Sequence, residues 1–338
     1  MNLRLINILS HISLIAVNIL FLSLIITGEK NFSPRGLLNQ LGVTKTQNAI
    51  INENTIENKL LENLHKPRYI LAKSLLNLSN LLNIDVILLY GILCFFIMNI
   101  CILILLISLK KIVNIDSSTL LLFLITLMFL TISLFMNGRG LFCFLGYIIL
   151  LYLFYNDHHI IMKLFLITIS FIFLSFSSGA FITGLCPAIL YLLEKFNIKN
   201  LKNYSLKNII IILPILLIPT YYIILFSIGF MYKNISYFYY SDYGIFRGLL
   251  SHGYGRYFLT NNILITITML SLFLCCTIYF LRKLHKAFPK DVKCTIYFIF
   301  ASLFIGLFGD LSLFLILVPL IFLTCYYAQC KIFKYLKN

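Results

Sequence analysis

The sequence predicts an all-α fold, a polytopic transmembrane helical bundle of about ten spans with both termini cytoplasmic. Three observations carry that expectation. Of 338 residues, 61% are hydrophobic and 11% charged, with mean hydropathy +0.97, whereas soluble domains hold roughly 45–50% apolar and about 25% charged residues. The apolar residues come in long unbroken runs, not in the alternation of a barrel strand, so internal pairing of every backbone group in lipid calls for helices. The basic residues fall in short clusters between those runs, which is a topology signal and not a nucleic-acid-binding face despite the net charge of +16.

The candidate spans are Leu5–Thr27, Ile84–Leu109, Thr119–Met136, Gly140–Tyr155, Asn208–Phe230, Asn262–Leu281, Cys294–Phe308 and Leu311–Ala328. Leu5–Thr27 is kept as a span because its core is too long for a signal peptide and Lys30 stands where a small-residue cleavage site belongs. The stretch Ile160–Leu193 is too long for one ordinary span. Ser175-Phe176-Ser177-Ser178-Gly179 breaks it near the middle, giving short spans Ile160–Phe176 and Gly179–Leu193.

Charge supports the split. With the N-terminus inside, the cytoplasmic side holds Arg4, Lys110, Lys111, Lys163, Lys195, Lys199, Lys202, Lys207, Arg282, Lys283, Lys286, Lys290, Lys293, Lys331, Lys334 and Lys337. The opposite short loops hold only Arg139, Lys233, Arg247 and Arg256, as the positive-inside rule requires. A single span would place Lys110-Lys111 outside. The long periplasmic loop, residues 28–83, carries further basic residues, but long loops translocate largely regardless of charge. Within it, Asn54–Leu64 and Tyr69–Leu82 have helical apolar spacing with Pro67 between them. They read as two amphipathic helices lying on the membrane surface or capping the bundle. No repeat and no linker divides residues 1–338, which read as one integral membrane domain. The nine cysteines are odd in number, lie mainly in apolar runs and form no CxxC; they read as small membrane residues.

This topology collects polar groups on the outer face. Arg139, in Asn137-Gly138-Arg139-Gly140, stands alone in a short turn, where it either grips phosphate through its fork or anchors the span at the headgroups. The loop 231–261 packs tyrosines and glycines with Asp242, Arg247, His252, Tyr254 and Arg256. Aromatic faces stack on sugars, glycines admit close approach and arginines hold phosphate; the plainer reading is an aromatic belt in a flexible loop. Asp310, between two apolar spans, is a general base, a partner for an outer arginine or the polar tip of a turn. His158, His159 and the lone His11 read as loop or span-end residues. Walker, GxGxxG and HExxH motifs are absent, as is an aspartate pair for a metal. Ser177 through Leu185 is similar to the serine region of rhomboid proteases, yet no histidine in a later span could activate that serine.

The stretch Asn137–Leu190, about a sixth of the chain, resembles the bacterial polysaccharide repeat-unit polymerases of the Wzy type and its EpsG-like branch. The shared pattern is an arginine opening a span (Arg139), a short basic cytoplasmic turn (Asn156–Lys163), then two short spans meeting at a small polar break (Ser175–Gly179), with Cys186-Pro187 late in the returning span. Where that branch has a histidine near the break, this chain has Phe176 and Ser177. The resemblance implies a glycosyltransferase of the cell inner membrane that joins undecaprenyl-pyrophosphate-linked repeat units into O-antigen, capsular or exopolysaccharide. It implies no cofactor and no metal; membrane lipid, a chain-length regulator and a flippase are the accompanying partners. On that reading Arg139, Arg247, Arg256, Ser177, Ser178 and Tyr254 bind substrate, and Asp310, His252 or Asp242 deprotonates the acceptor. The alternatives are a membrane O-acyltransferase, which Arg4 and His11 loosely resemble, a polysaccharide flippase, or another lipid-linked sugar transferase with Glu29 as its acid.

Overall fold

The computed structural model describes residues 3–27, 66–112, 138–156, 160–195, 244–287 and 290–324, with isolated helical positions between 221 and 239. Among the described residues every regular element is helical, with no strand. In order they are α1 (Leu3–Ile26), α2 (Lys66–Leu82), α3 (Val86–Ile112), α4 (Gly138–Tyr155), α5 (Ile160–Leu174), α6 (Ser178–Lys195), α7 (Gly244–Ser251), a 3-10 turn (Tyr254–Phe258), α8 (Ile263–Ala287), α9 (Lys290–Gly306) and α10 (Asp310–Phe314). Two helical segments among them, Val86–Ser108 and Ile263–Lys286, are long and apolar enough to cross a membrane by length and composition. The expected span Thr119–Met136, most of Asn208–Phe230 and the expected amphipathic helix Asn54–Leu64 lie outside the described residues.

Local chemistry sets the helix ends. Pro67 falls in the first turn of α2, where no amide donor is needed, so α2 starts at Lys66 and not after the proline. At its other end Asn83 takes a left-handed φ of 54°, and the Ile84 amide reaches back to the Ser79 carbonyl at 3.2 Å, closing the helix as a Schellman motif. Asp85 then accepts from the Ile87 amide at 3.3 Å to open α3. Asn262 opens α8 the same way, accepting from the Leu264 amide at 2.9 Å. The last expected span is interrupted: α10 ends at Phe314 and helix resumes at 317. Pro319 has no amide to donate to Leu315 and its ring crowds that carbonyl, which accounts for the break.

The chain divides into two compact units. The first comprises Met1–Tyr155, Ile172–Ser177 and Thr324–Asn338. In it α1, α2 and α4 all pack on α3. Phe21 meets Phe95 at 6.2 Å, and Gly91 leaves room for Ile25, whose Cγ2 would lie 2.7 Å from an added Cβ. Between them Asn99 Nδ2 donates to Asn18 Oδ1 at 3.0 Å, a polar clamp between two apolar helices.

The second unit comprises Asn156–Phe171 and Ser178–Leu323. In it α6 packs on α9 and α10, and α8 on α9. His285 near the end of α8 faces Tyr297 in α9, with ring centroids 6.0 Å apart. Leu264, Leu272 and Phe280 of α8 are all more than half exposed, so its surface is apolar over much of its circumference.

Candidate functional site

In the first unit the site is built around the start of α4. Arg139, expected in a turn, lies instead in the first helical turn, one residue after Gly138. The aromatic three residues on, Phe142, stacks on Phe176 at 4.7 Å and 3°, and lies parallel to Tyr90 at 6.4 Å and 8°. Tyr90, Phe142 and Phe176 therefore form one ladder running from α3 through α4 to the break after α5. Cys143 adds a weak contact from its sulfur to the Phe173 carbonyl at 3.9 Å.

The break itself is closed locally. The Phe176 and Ser177 amides donate to the carbonyls of Phe173 and Leu174 at 3.2 and 3.1 Å, while Ser175 Oγ donates to the Ile172 carbonyl at 2.6 Å. These tight turns end α5 where the small polar residues stand. Ser177 and Ser178 are partly exposed, and Ser178 begins α6. On α6, Thr183 returns its hydroxyl to the Gly179 carbonyl at 2.7 Å.

Arg139 combines charge with unmet hydrogen bonding. Its Nε is sealed from solvent without a hydrogen-bond partner, and so is the Tyr90 hydroxyl. The two are close enough for the guanidinium charge to act on the phenol. Sequence reasoning missed Tyr90, because a single tyrosine inside the apolar run Ile84–Leu109 looks like packing.

In the second unit the site is a docked loop. The loop expected between residues 231 and 261 is helical in its described half, as α7 and the 3-10 turn. Gly253 and Gly255 press it backbone-to-backbone onto the α9–α10 turn: a Cβ on Gly253 would lie 2.3 Å from the Gly306 oxygen and 2.5 Å from the Gly309 nitrogen. The Gly255 amide donates to the Leu307 carbonyl at 3.1 Å. Close approach is what glycine supplies here, but to a neighbouring turn of this chain. Tyr254 inserts beside it, its hydroxyl donating to the Leu303 carbonyl at 2.6 Å and its ring edge-on to Phe273 at 5.7 Å. Burial pushes its phenol up to about 12, so it remains a donor at any ordinary pH. Leu250, Leu270 and Leu307 form the small core beneath.

That docking brings together His252 and Asp310, which sequence reasoning singled out separately. His252 precedes Gly253, and Asp310, the first residue of α10, follows Gly309. The His252 ring is held by Ser251 Oγ at 3.0 Å and by the Gly248 carbonyl at 3.2 Å, both through Nδ1. A carbonyl only accepts, so the tautomer that bonds Gly248 carries its hydrogen on Nδ1. Arg247 donates from Nη2 to the Asn261 carbonyl at 2.9 Å, bracing the loop. Arg256 is exposed, with Nη2 at 3.3 Å from the Tyr257 hydroxyl and its guanidinium 5.1 Å from that ring's centroid. Asp242 lies outside the described residues.

Among the described residues no group of three or more histidine, cysteine or acidic side chains could hold a metal. No family model matches the chain, and no curated protein or solved structure matches it.

Proposed function

We propose that this chain is a polytopic membrane glycosyltransferase that polymerises polyprenyl-pyrophosphate-linked oligosaccharide repeat units at the outer face of the cytoplasmic membrane. The observation that carries this reading is the half-buried Arg139 at the head of α4, whose Nε is sealed from solvent without a hydrogen-bond partner. An arginine donor left unmet at the N-terminus of an apolar helix suits an external anion, which would satisfy both the donor and the charge. The leaving group of this reaction is a pyrophosphate.

Helix geometry supports the multi-span reading. The ring of Tyr90 meets Phe142, so the start of α4 is level with the start of α3. Ile112, at the other end of α3, is about 33 Å along the helix from Tyr90. The two ends of the segment between α3 and α4 are therefore about a bilayer's hydrocarbon thickness apart. The apolar exposure of α8 also agrees with a lipid surround.

The chemistry then divides among named residues. The acceptor sugar's hydroxyl oxygen attacks the anomeric carbon of the growing chain, the carbon–oxygen bond to pyrophosphate breaks, and the lipid pyrophosphate departs with the electron pair. Arg139 is the residue proposed for that developing charge, and Arg247 and Arg256, on the loop of the second unit, are further candidate phosphate contacts. Ser177 and Ser178 are hydrogen-bonding groups for substrate, and Tyr254 holds the loop that presents His252. His252 through Nε2, Asp310 or Asp242 takes the acceptor proton.

Deletion in the native host tests the reading. Single repeat units should remain on the lipid carrier or its final acceptor, with the long-chain ladder lost. Long chains lacking acetyl groups would instead indicate the acyltransferase, and units trapped on the cytoplasmic leaflet the flippase.

A further inference from the structure

Two donors sealed from solvent lie on neighbouring helices of the first unit, α3 and α4. Tyr90 is 3% exposed, and neither its hydroxyl nor the Arg139 Nε has an oxygen or nitrogen partner. The Cys94 thiol, one turn along α3, interacts with that hydroxyl, but thiol sulfur is a weak acceptor. Arginine has no acceptor atom, so it cannot satisfy the phenol's hydrogen. An acceptor shared between them would satisfy both, and Arg139 itself stands in the first turn of α4, the positive end of that helix. Stacking against Phe142 fixes the Tyr90 ring, so the hydroxyl cannot swing away to find a carbonyl of its own.

We infer that Tyr90 is a second binding residue, which with Arg139 and the first turn of α4 forms a site for a phosphate oxyanion, the tyrosine donating its hydroxyl hydrogen to a phosphate oxygen. The identification of that phosphate as the pyrophosphate of a polyprenyl carrier rests on the polymerase reading; the oxyanion chemistry does not. A phospholipid headgroup presents the same oxygens.

The test uses the full chain in phosphatidylcholine nanodiscs, titrated separately with undecaprenyl pyrophosphate, inorganic pyrophosphate and phosphatidylglycerol. Without ligand, Tyr90→Phe should unfold at or above the wild-type temperature, because it removes a buried unsatisfied hydroxyl and keeps the ring. With undecaprenyl pyrophosphate it should bind about tenfold more weakly, the expected loss for one hydrogen bond to a charged group. Arg139→Lys, which keeps charge and loses the fork, should weaken binding further. Unchanged affinity in Tyr90→Phe, a ligand-free Tyr90→Phe protein less stable than wild type, or no binding of any probe would overturn the inference. Tyr90-dependent binding of phosphatidylglycerol, without binding of undecaprenyl pyrophosphate, would uphold the oxyanion site and remove the polymerase reading. Full Tyr90→Phe affinity in a protein that still builds polymer would do the reverse.

Discussion

The Gly255 amide donates to the Leu307 carbonyl at 3.1 Å, tying a loop to a turn about fifty residues further along the chain. His252 and Asp310 are brought near one another by this tie and by the contact of Gly253 with Gly306 and Gly309. Neither arrangement would survive a side chain at the glycines, since the atoms that a Cβ would meet are mostly backbone.

Gly253→Ala should therefore destabilise the protein by about 1–3 kcal/mol, the usual range for overpacking, and lower activity with it. Gly309→Ala is the control. A Cβ there meets only Ser312 Oγ, at 3.6 Å, and its φ of −164° suits any residue. Thermal unfolding in detergent should separate the two variants; equal stability would mean that the loop is not docked as described.

Tyr254→Phe keeps the ring against Phe273 and loses the hydrogen bond to Leu303, at a cost of about 1 kcal/mol. The phenol's value is raised in the folded state from the ordinary 10.0 to about 12, so the fold favours its neutral form. Its contribution is fully present below pH 10 and lost as pH rises through about 12. The stability difference between wild type and Tyr254→Phe should thus be constant up to pH 10 and change only above it.

Asn99→Ala removes the clamp to Asn18 and should lower stability by about 0.6 kcal/mol, up to about 2, as for hydrogen bonds between helices in lipid. Asn18→Ala should cost a similar amount. The double variant should cost less than the sum, because the shared bond is lost only once.

Labelling of single introduced cysteines tests the topology. Positions 200 and 285 should be reached only from the cytoplasm, and positions 139 and 242 only from outside. Cytoplasmic labelling at 139 would reject the split of the Ile160–Leu193 stretch and its charge argument.

The helical class was legible because apolar runs this long leave the backbone no other way to pair in lipid. The break after α5 was legible too, since Ser175, Ser177 and Gly179 interrupt an otherwise apolar stretch. Single residues near element ends were less so: Pro67 looked like a separator, whereas its missing amide suits a first turn, and Arg139 looked like a turn residue because its neighbours are glycines. Gly253 and Gly255 carried the right cue, close approach, but a sequence does not say what approaches. Their partners, Gly306 to Gly309, are distant in the chain and show no pattern that pairs them. Tyr90 is the hardest case, since its importance lies in a hydrogen bond that is not made.

Reconstitution tests the central claim most directly. Purified protein in liposomes, supplied only with lipid-linked repeat units, should build a ladder of long chains without nucleotide sugar, acyl donor or added divalent metal, because the energy lies in the sugar–pyrophosphate bond. Arg139→Ala and Arg139→Lys should each lower the initial rate about tenfold or more at equal protein levels. Folded wild-type protein that leaves the repeat units single, or that lengthens them only when an acyl donor or nucleotide sugar is added, would contradict the polymerase reading.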